Sequence, residues 1–307
     1  MPGAGAGTRL RHAAVFYQRP AERRLAVRQF VRDSVACGEP VLVALPGEAG
    51  RTVMAGLDDE PEVTFADMRR LGRNPGRILP AIWEFVDRHG GRPVRFAGEP
   101  AWPGRSAAEV REAATHEAMI NLAFAAVPLT VLCPYDVAGL PPRVTRWAGR
   151  THPLMYSGDG YAASEHYAAG SFPGFVLPAL RRPPDGAERL SYSTDLRPVR
   201  QAVARFGGTA GLPPDRLADL TIAVGEVAAN TLRHTPAGGT LHLWRTRKEV
   251  ICQVSDAGQI RDPLVGRRRP AGRGGLGLWV VHQVCDLVQL RTGTSGTTIR
   301  MHMRLAD

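Results

Sequence analysis

Lysine is almost missing from this 307-residue chain: Lys248 stands alone, and every other one of the 39 basic residues is arginine. With a single lysine, no GxxxxGK[ST] phosphate loop exists anywhere. Cysteine is scarce too. Cys37, Cys133, Cys252 and Cys285 lie far apart, form no CxxC pair, and read as reduced, buried, small apolar residues. The nine histidines show no ligand spacing such as HExxH, so a metal site built from protein side chains alone is not expected. The longest apolar run, Leu122 to Cys133, is too short to span a bilayer and contains Pro128. The start, MPGAGAGTRLRH, lacks the apolar core of a signal peptide, and the expected location is the cytoplasm, with no membrane partner.

What is present fits a soluble globular protein. A hydrophobic fraction of 44% and a charged fraction of 22% exclude disorder as the main state, and the length suits roughly two domains. The net charge of +10 invites a nucleic-acid reading. The arginines are spread along the chain, however, and accompany 34 Gly and 25 Pro, as GC-rich coding produces. No helix-turn-helix, zinc-finger or aromatic RNA-binding signature accompanies them, so no direct nucleic-acid partner is expected.

Two blocks are expected, residues 1–156 and 191–307, joined by a linker over 157–190 that is rich in Gly, Ala, Ser and Pro. In the first, helices are predicted over Leu25–Val35, Ile78–His89 and Ala107–Phe124, and short apolar strands over Pro40–Leu45, Pro93–Ala97 and Val127–Cys133. Alternating strands and helices predict an α/β domain with a largely parallel sheet. In the second, helices are predicted over Leu196–Phe206, from Pro213 to about His234, and over Leu276–Asp286. Strands are predicted over Thr240–Arg245, Glu249–Ser255, Leu287–Arg291 and Thr297–Met303. Helices on one face of a mostly antiparallel sheet make this an α+β sandwich.

The chemistry concentrates in the second block. On the long helix Glu226, Asn230 and His234 recur every four residues and project from one face, beside an apolar stripe of Leu217, Leu220, Val224, Val227 and Thr231. The next strand ends in Asp256-Ala-Gly258. An ionised Asp only accepts hydrogen bonds, which suits an exocyclic amine such as that of adenine, and a glycine lets a flat base approach the backbone. Gly272-Arg-Gly-Gly-Leu-Gly277 then leads into a helix, where backbone N–H groups make an anion site. This string also satisfies GxGxxG. A dinucleotide fold needs a preceding strand and an acid about 20 residues later; Gly266-Arg-Arg-Arg-Pro-Ala is no strand, and Asp286 comes too early.

Taken in order, Glu226-x3-Asn230-x3-His234, Asp256-x-Gly258, Gly272 to Gly277 and Gly296-Thr297-Thr298 resemble the GHKL ATP-binding family, and within it the anti-sigma factor/serine kinases of bacterial partner-switching systems. The resemblance covers Ser191 to Asp307 and implies a Bergerat ATP-binding sandwich with ATP and Mg²⁺ as cofactors. By this resemblance Asn230 holds Mg²⁺ and Glu226 is the general base. Asp256 binds the adenine amine and Gly258 lines the base. Gly274, Gly275 and Gly277 belong to the lid with Arg273, Thr297 or Thr298 completes the adenine pocket, and His234 counts among the nucleotide-binding positions. Two departures stand out: Ile260 replaces the usual second glycine after Asp-x-Gly, and the lid is unusually basic, with Arg261, Arg267, Arg268, Arg269 and Arg273.

The first block resembles the MEDS sensory domain, a RecA-like module without a working nucleotide loop, through His12-x3-Phe16-Tyr17, Gly38-Glu-Pro-Val-Leu-Val43, Glu117-x3-Asn121 and Cys133-Pro-Tyr-Asp136. The aromatics Phe16, Tyr17 and Tyr135 read equally as core residues. Together the two resemblances imply a cytoplasmic regulator of transcription in which a sensory domain controls an ATP-binding serine/threonine kinase module. Its partners would be a sigma factor or an anti-sigma factor antagonist, with a homodimer also expected of such relatives. A sensor histidine kinase shares the ATP site but needs a phosphoacceptor histidine on a helical hairpin just before it. His116 and His166 are the histidines to weigh. A binding module without catalysis is the third reading.

Overall fold

The computed structural model describes residues 9–55, 60–158, 160–168, 179–270 and 275–305. The chain divides into two compact units, Met1–Val176 and Leu177–Asp307.

The first unit is built on a seven-stranded sheet. Its strands are β1 (Arg11–Tyr17), β2 (Val41–Leu45), β3 (Val63–Asp67), β4 (Val94–Gly98), β5 (Leu129–Asp136), β6 (Leu154–Ser157) and β7 (Gly160–Ala163), in the order β3-β2-β4-β5-β1-β6-β7. All pairings are parallel except β6 with β7. The helices are α1 (Pro20–Ala36), α2 (Glu48–Met54), α3 (Met68–Leu71), α4 (Ile78–Arg88), α5 (Ala107–Ala123) and α6 (Pro142–Thr151). β2 is buried at all five positions, as a strand covered on both faces of a parallel sheet must be. Side chains alternate across the sheet. Ala13, Val15 and Leu132 pack with Val27, Phe30 and Val31 of α1, while His12 and Cys133, of the other parity, meet α5. Ser106 starts α5 through a capping box, its hydroxyl accepting from the Glu109 N–H at 3.2 Å while the Glu109 carboxylate accepts from the Ser106 N–H at 2.7 Å.

The second unit carries an antiparallel five-stranded sheet. Its elements are β8 (Glu188–Tyr192), α7 (Arg197–Thr209), α8 (Pro214–His234), β9 (Gly239–Arg245), β10 (Glu249–Asp256), α9 (Leu276–Val284), β11 (Leu287–Gly293) and β12 (Gly296–Arg304), with strand order β11-β12-β10-β9-β8. Val199 and Val203 of α7, Leu220, Val224 and Val227 of α8 and Val281 of α9 share one core with Leu241, Leu243, Val250, Cys252, Val254, Ile299, Met301 and Met303 of the sheet. The helices therefore cover one face. Each fully buried Leu or Val contributes about 1.5–3 kcal/mol relative to exposure. The other face is polar: Arg300 donates to Gln253 Oε1 at 3.0 Å and lies over the Trp244 ring. On the same face His302 bridges Glu249 at 2.9 Å and Gln289 at 3.2 Å.

The parallel-rich sheet followed by an antiparallel one matches the sequence expectation of a mixed α/β protein, and the differences are local. The segment read as a linker is partly structured: Gly160–Ala163 forms β7 against β6, and β8 begins at Glu188. α7 runs past Gly207-Gly208 to Thr209, because Gly207 is packed against Leu212 and Leu217 and that packing overrides the glycines' weak helix propensity. α6 is amphipathic, burying Val144, Ala148 and Thr151, and it was not among the helices expected from sequence. Among the described residues, no helix is long and apolar enough to cross a membrane.

Candidate functional site

In the second unit, register lines up a row of residues on the helix-covered face at one end of the sheet. Tyr192 of β8 pairs with Gly239 of β9, Gly239 with Asp256 of β10, Asp256 with Thr297 of β12, and Thr297 with Thr292 of β11. Asp256 is the polar centre of this row. Its Oδ2 accepts the Thr231 hydroxyl of α8 at 2.7 Å, and its Oδ1 accepts the Gly258 N–H at 2.8 Å. An ionised carboxylate has about four lone-pair positions, so it is fixed in orientation and still able to accept from a ligand amine. Thr297 donates to the Gly258 carbonyl at 2.8 Å and lies 2.9 Å from the Thr292 hydroxyl, which in turn accepts the Ile260 N–H at 3.0 Å. The turn after β10 is thus tied down at Gly258 and Ile260, the residue that stands in the family's glycine position.

The Tyr192 ring lies across Gly239, where a Cβ would come within 2.7 Å of the phenol oxygen. Burial pushes the Tyr192 hydroxyl above its usual pKa, and the Asp256 charge adds to this. An open cavity of about 380 Å³ adjoins the row, lined by Tyr192, Ser193, Gly238, Thr240, Ser255 and Asp256 among others. That is within the range of small-molecule sites.

α8 supplies Glu226 and Asn230, both half-buried one turn apart. They face the first turn of α9. A Cβ on Gly277 would lie 2.7 Å from Glu226 Oε2 and 3.2 Å from the Asn230 amide nitrogen, so a larger residue would push these two side chains aside. Gly275, the N-cap of α9, has φ +80°, a left-handed conformation that glycine adopts without strain. Asn230 Oδ1 accepts from Arg233 at 2.8 Å, an exposed bond worth about 1 kcal/mol.

Of the positions named from sequence, Asp256, Gly258 and Thr297 meet in one hydrogen-bonded group, and Glu226, Asn230 and Gly277 in another contact. Thr298 falls on the opposite face, 3.2 Å from the Ser255 hydroxyl, because neighbouring residues of a strand alternate. His234 is exposed at the last turn of α8. Arg273 and Gly274 lie outside the described residues. Of the basic lid, Arg267 is buried and Arg269 sits over the Trp279 ring, 5.5 Å from its centroid. Thr231, Thr292 and Tyr192 join the site without a motif in the sequence to mark them. Thr231 occurs in the apolar stripe, and only the helix–sheet packing turns its hydroxyl to Asp256.

In the first unit His12, Glu117, Asn121 and Cys133 converge below α5. They are joined by His152, just beyond α6, which no local spacing marks. Tyr17 leaves by the other face of β1. Its hydroxyl donates to Glu99 Oε1 at 2.6 Å, and Arg23 donates to Glu99 Oε2 at 3.1 Å. Burial raises the Glu99 pKa, with Arg23 and Tyr17 holding it down. Tyr17 and Tyr135 are buried, whereas Phe16 is 39% exposed. His116 is buried in α5, and His166 lies in a turn.

Residues 11–153 match the family model of the MEDS domain, described as the methanogen/methylotroph, DcmR sensory domain. Residues 191–303 match that of the histidine kinase-like ATPase domain. The chain carries an N-terminal MEDS domain and a C-terminal histidine kinase-like ATPase domain. One solved structure similar to part of the chain is that of the RsbU and RsbW domains of a Mycobacterium tuberculosis protein, at 20% identity and a TM-score of 0.32. The match covers 41% of this chain and 34% of that one, so the chain spans about a third of its length. No curated protein matches the chain.

Proposed function

We propose that the second unit is a Bergerat-type module that binds Mg·ATP and belongs to the anti-sigma factor/serine kinase branch. Its activity would be set by the sensory first unit in a cytoplasmic partner-switching system that regulates transcription. The observation that carries this reading is the Asp256 carboxylate, clamped by Thr231 and Gly258 in line with Thr297, with Glu226 and Asn230 set against the glycine turn of α9.

The donor set suits the cofactor. Asp256 keeps acceptor capacity for an adenine amine, Thr297 braces the Gly258 backbone that lines the base, and Asn230 offers an amide oxygen to Mg²⁺. Bound Mg·ATP supplies a transferable phosphoryl group whose charge the ion offsets. Glu226 accepts the proton of a serine or threonine hydroxyl on an antagonist protein, as a half-buried carboxylate beside an open turn can. The backbone N–H groups of the first turn of α9 face anionic oxygens, favoured by the helix dipole. A phosphate placed on the antagonist would unseat it from the kinase by charge.

Serine/threonine specificity is favoured over a histidine phosphoacceptor because His116 is buried in an α/β unit and the described residues 179–187 that lead into β8 hold no helix. Titration calorimetry of the full chain with Mg·ATP tests the proposal. Saturable binding is expected, and Asn230→Ala is expected to abolish it. A wild-type chain that releases no binding heat, and protects no residue of the second unit from exchange, overturns the reading.

A further inference from the structure

The first unit holds a side-chain cluster that the ATP-site reading does not use. His12 is on β1, Cys133 on the adjacent β5, Glu117 on α5, and His152 follows α6; their relative exposures are 0%, 1%, 2% and 0%. One nitrogen of each histidine, the thiol sulfur and a carboxylate oxygen all lie within 4.8 Å of one another. Glu117 Oε2 is 3.0 Å from His12 Nε2, 3.0 Å from His152 Nε2 and 3.4 Å from Cys133 Sγ; Sγ is 3.6 Å from His12 Nε2. Donor atoms around a four-coordinate zinc ion stand about 3.3–3.6 Å apart, given bonds of about 2.0–2.3 Å. Four of the six donor pairs therefore lie within a few tenths of an ångström of that spacing, and the two others, from His152 to His12 and to Cys133, lie within 4.8 Å.

The outer contacts decide which ring atoms face inward. Asn121 donates its amide to the Thr151 carbonyl at 2.6 Å, which turns its Oδ1 toward His12 Nδ1 at 3.0 Å. His152 Nδ1 lies 2.8 Å from the Ala148 carbonyl. Each Nδ1 thus meets an acceptor and carries the hydrogen, so each neutral ring points a lone pair at Nε2 into the cluster. This is how ligating histidines are usually oriented. His152 Nε2 is buried and makes no hydrogen bond, its 3.0 Å approach to Glu117 being off hydrogen-bond geometry. Three electron-rich atoms facing one point are stable around a cation. Two neutral imidazoles, a thiolate and a carboxylate also cancel a dication, so the occupied site buries no net charge.

We propose that His12, Glu117, Cys133 and His152 form a closed, four-coordinate site for a divalent first-row transition ion, zinc fitting the donor set best. Such a site ties β1, β5, α5 and the end of α6 together. The competing arrangement is a buried histidine–glutamate hydrogen-bond network with a bystander thiol.

Metal content of the full chain as purified, followed by chelation and titration with Zn²⁺ and Co²⁺, separates the two. The proposal expects about one ion per chain. It also expects a Co²⁺ complex with thiolate charge-transfer absorption and the strong visible bands of a four-coordinate ion. Cys133→Ser removes the charge-transfer band while Cys37→Ser, at an exposed cysteine, leaves it. Asn121→Ala, which touches no metal, weakens binding about 10- to 100-fold. Protein that carries no metal as purified and takes up neither ion overturns the proposal, as does a Co²⁺ spectrum that Cys133→Ser leaves unchanged.

Discussion

The two polar centres of this protein are made in opposite ways. In the ATPase domain, Asp256 sits half-exposed at a strand end, and the positions marked by sequence there fall in short local stretches, Glu226 with Asn230 and Asp256 with Gly258. In the MEDS domain, His12, Glu117, Cys133 and His152 are scattered over four elements and completely enclosed. A site that must admit and release a nucleotide has to open to solvent, and its backbone turns need glycines at defined offsets. A site sealed inside a sheet–helix interface needs no local pattern, only register and packing. Exposed and local sites are therefore legible in one dimension, and enclosed ones are not.

The sharpest test on the open side is Glu226→Gln. Phosphotransfer to a serine-bearing antagonist is expected to fall about 10²- to 10⁴-fold with Mg·ATP affinity nearly unchanged, measured by radiolabel transfer beside calorimetry. Equal loss of both would mean that Glu226 supports the pocket and not the chemistry, and would make the open site as structural as the closed one.

A smaller effect is expected of Thr231→Val, which keeps shape and removes the hydroxyl that orients Asp256. The lost hydrogen bond is worth about 0.5–1.5 kcal/mol, so nucleotide affinity should drop by roughly tenfold or less. Unchanged affinity would show that Gly258 alone holds the carboxylate.

The smallest concerns the outer sheet face, away from both centres. The hydrogen bond from His302 holds the Glu249 carboxyl below its usual 4.5. A depressed folded pKa adds stability above the unfolded value, and that stability is lost as pH falls through the folded one. Glu249→Gln should therefore lower the denaturation midpoint slightly at neutral pH and make no difference in strong acid. A gap between the two proteins that persists in strong acid would assign the effect to packing.

Much of the architecture was legible. The buried run Val41–Leu45 and the amphipathic α8 carry their periods openly. β7 and the two-turn α2 were not legible, because edge strands and very short helices are stabilised by what they dock against. Within the ATP-type site, Asp256 and Gly258 stand out by spacing, while Thr231 reads as one more member of an apolar stripe. Between Thr297 and Thr298, adjacent and chemically identical, only strand parity chooses.

The sequence by itself determined the two domain types, the order of the ATP-site motifs and the absence of a lysine phosphate loop, since each rests on residue type at short range. The tertiary structure alone decided that Tyr192, Asp256, Thr297 and Thr292 form one row, because register is a property of paired strands. It also brought His152 to Glu117 and Cys133, closing a cluster whose members are up to 140 positions apart, His12 to His152. Chain separation carries no information about such a contact; the burial of both faces of a parallel sheet does.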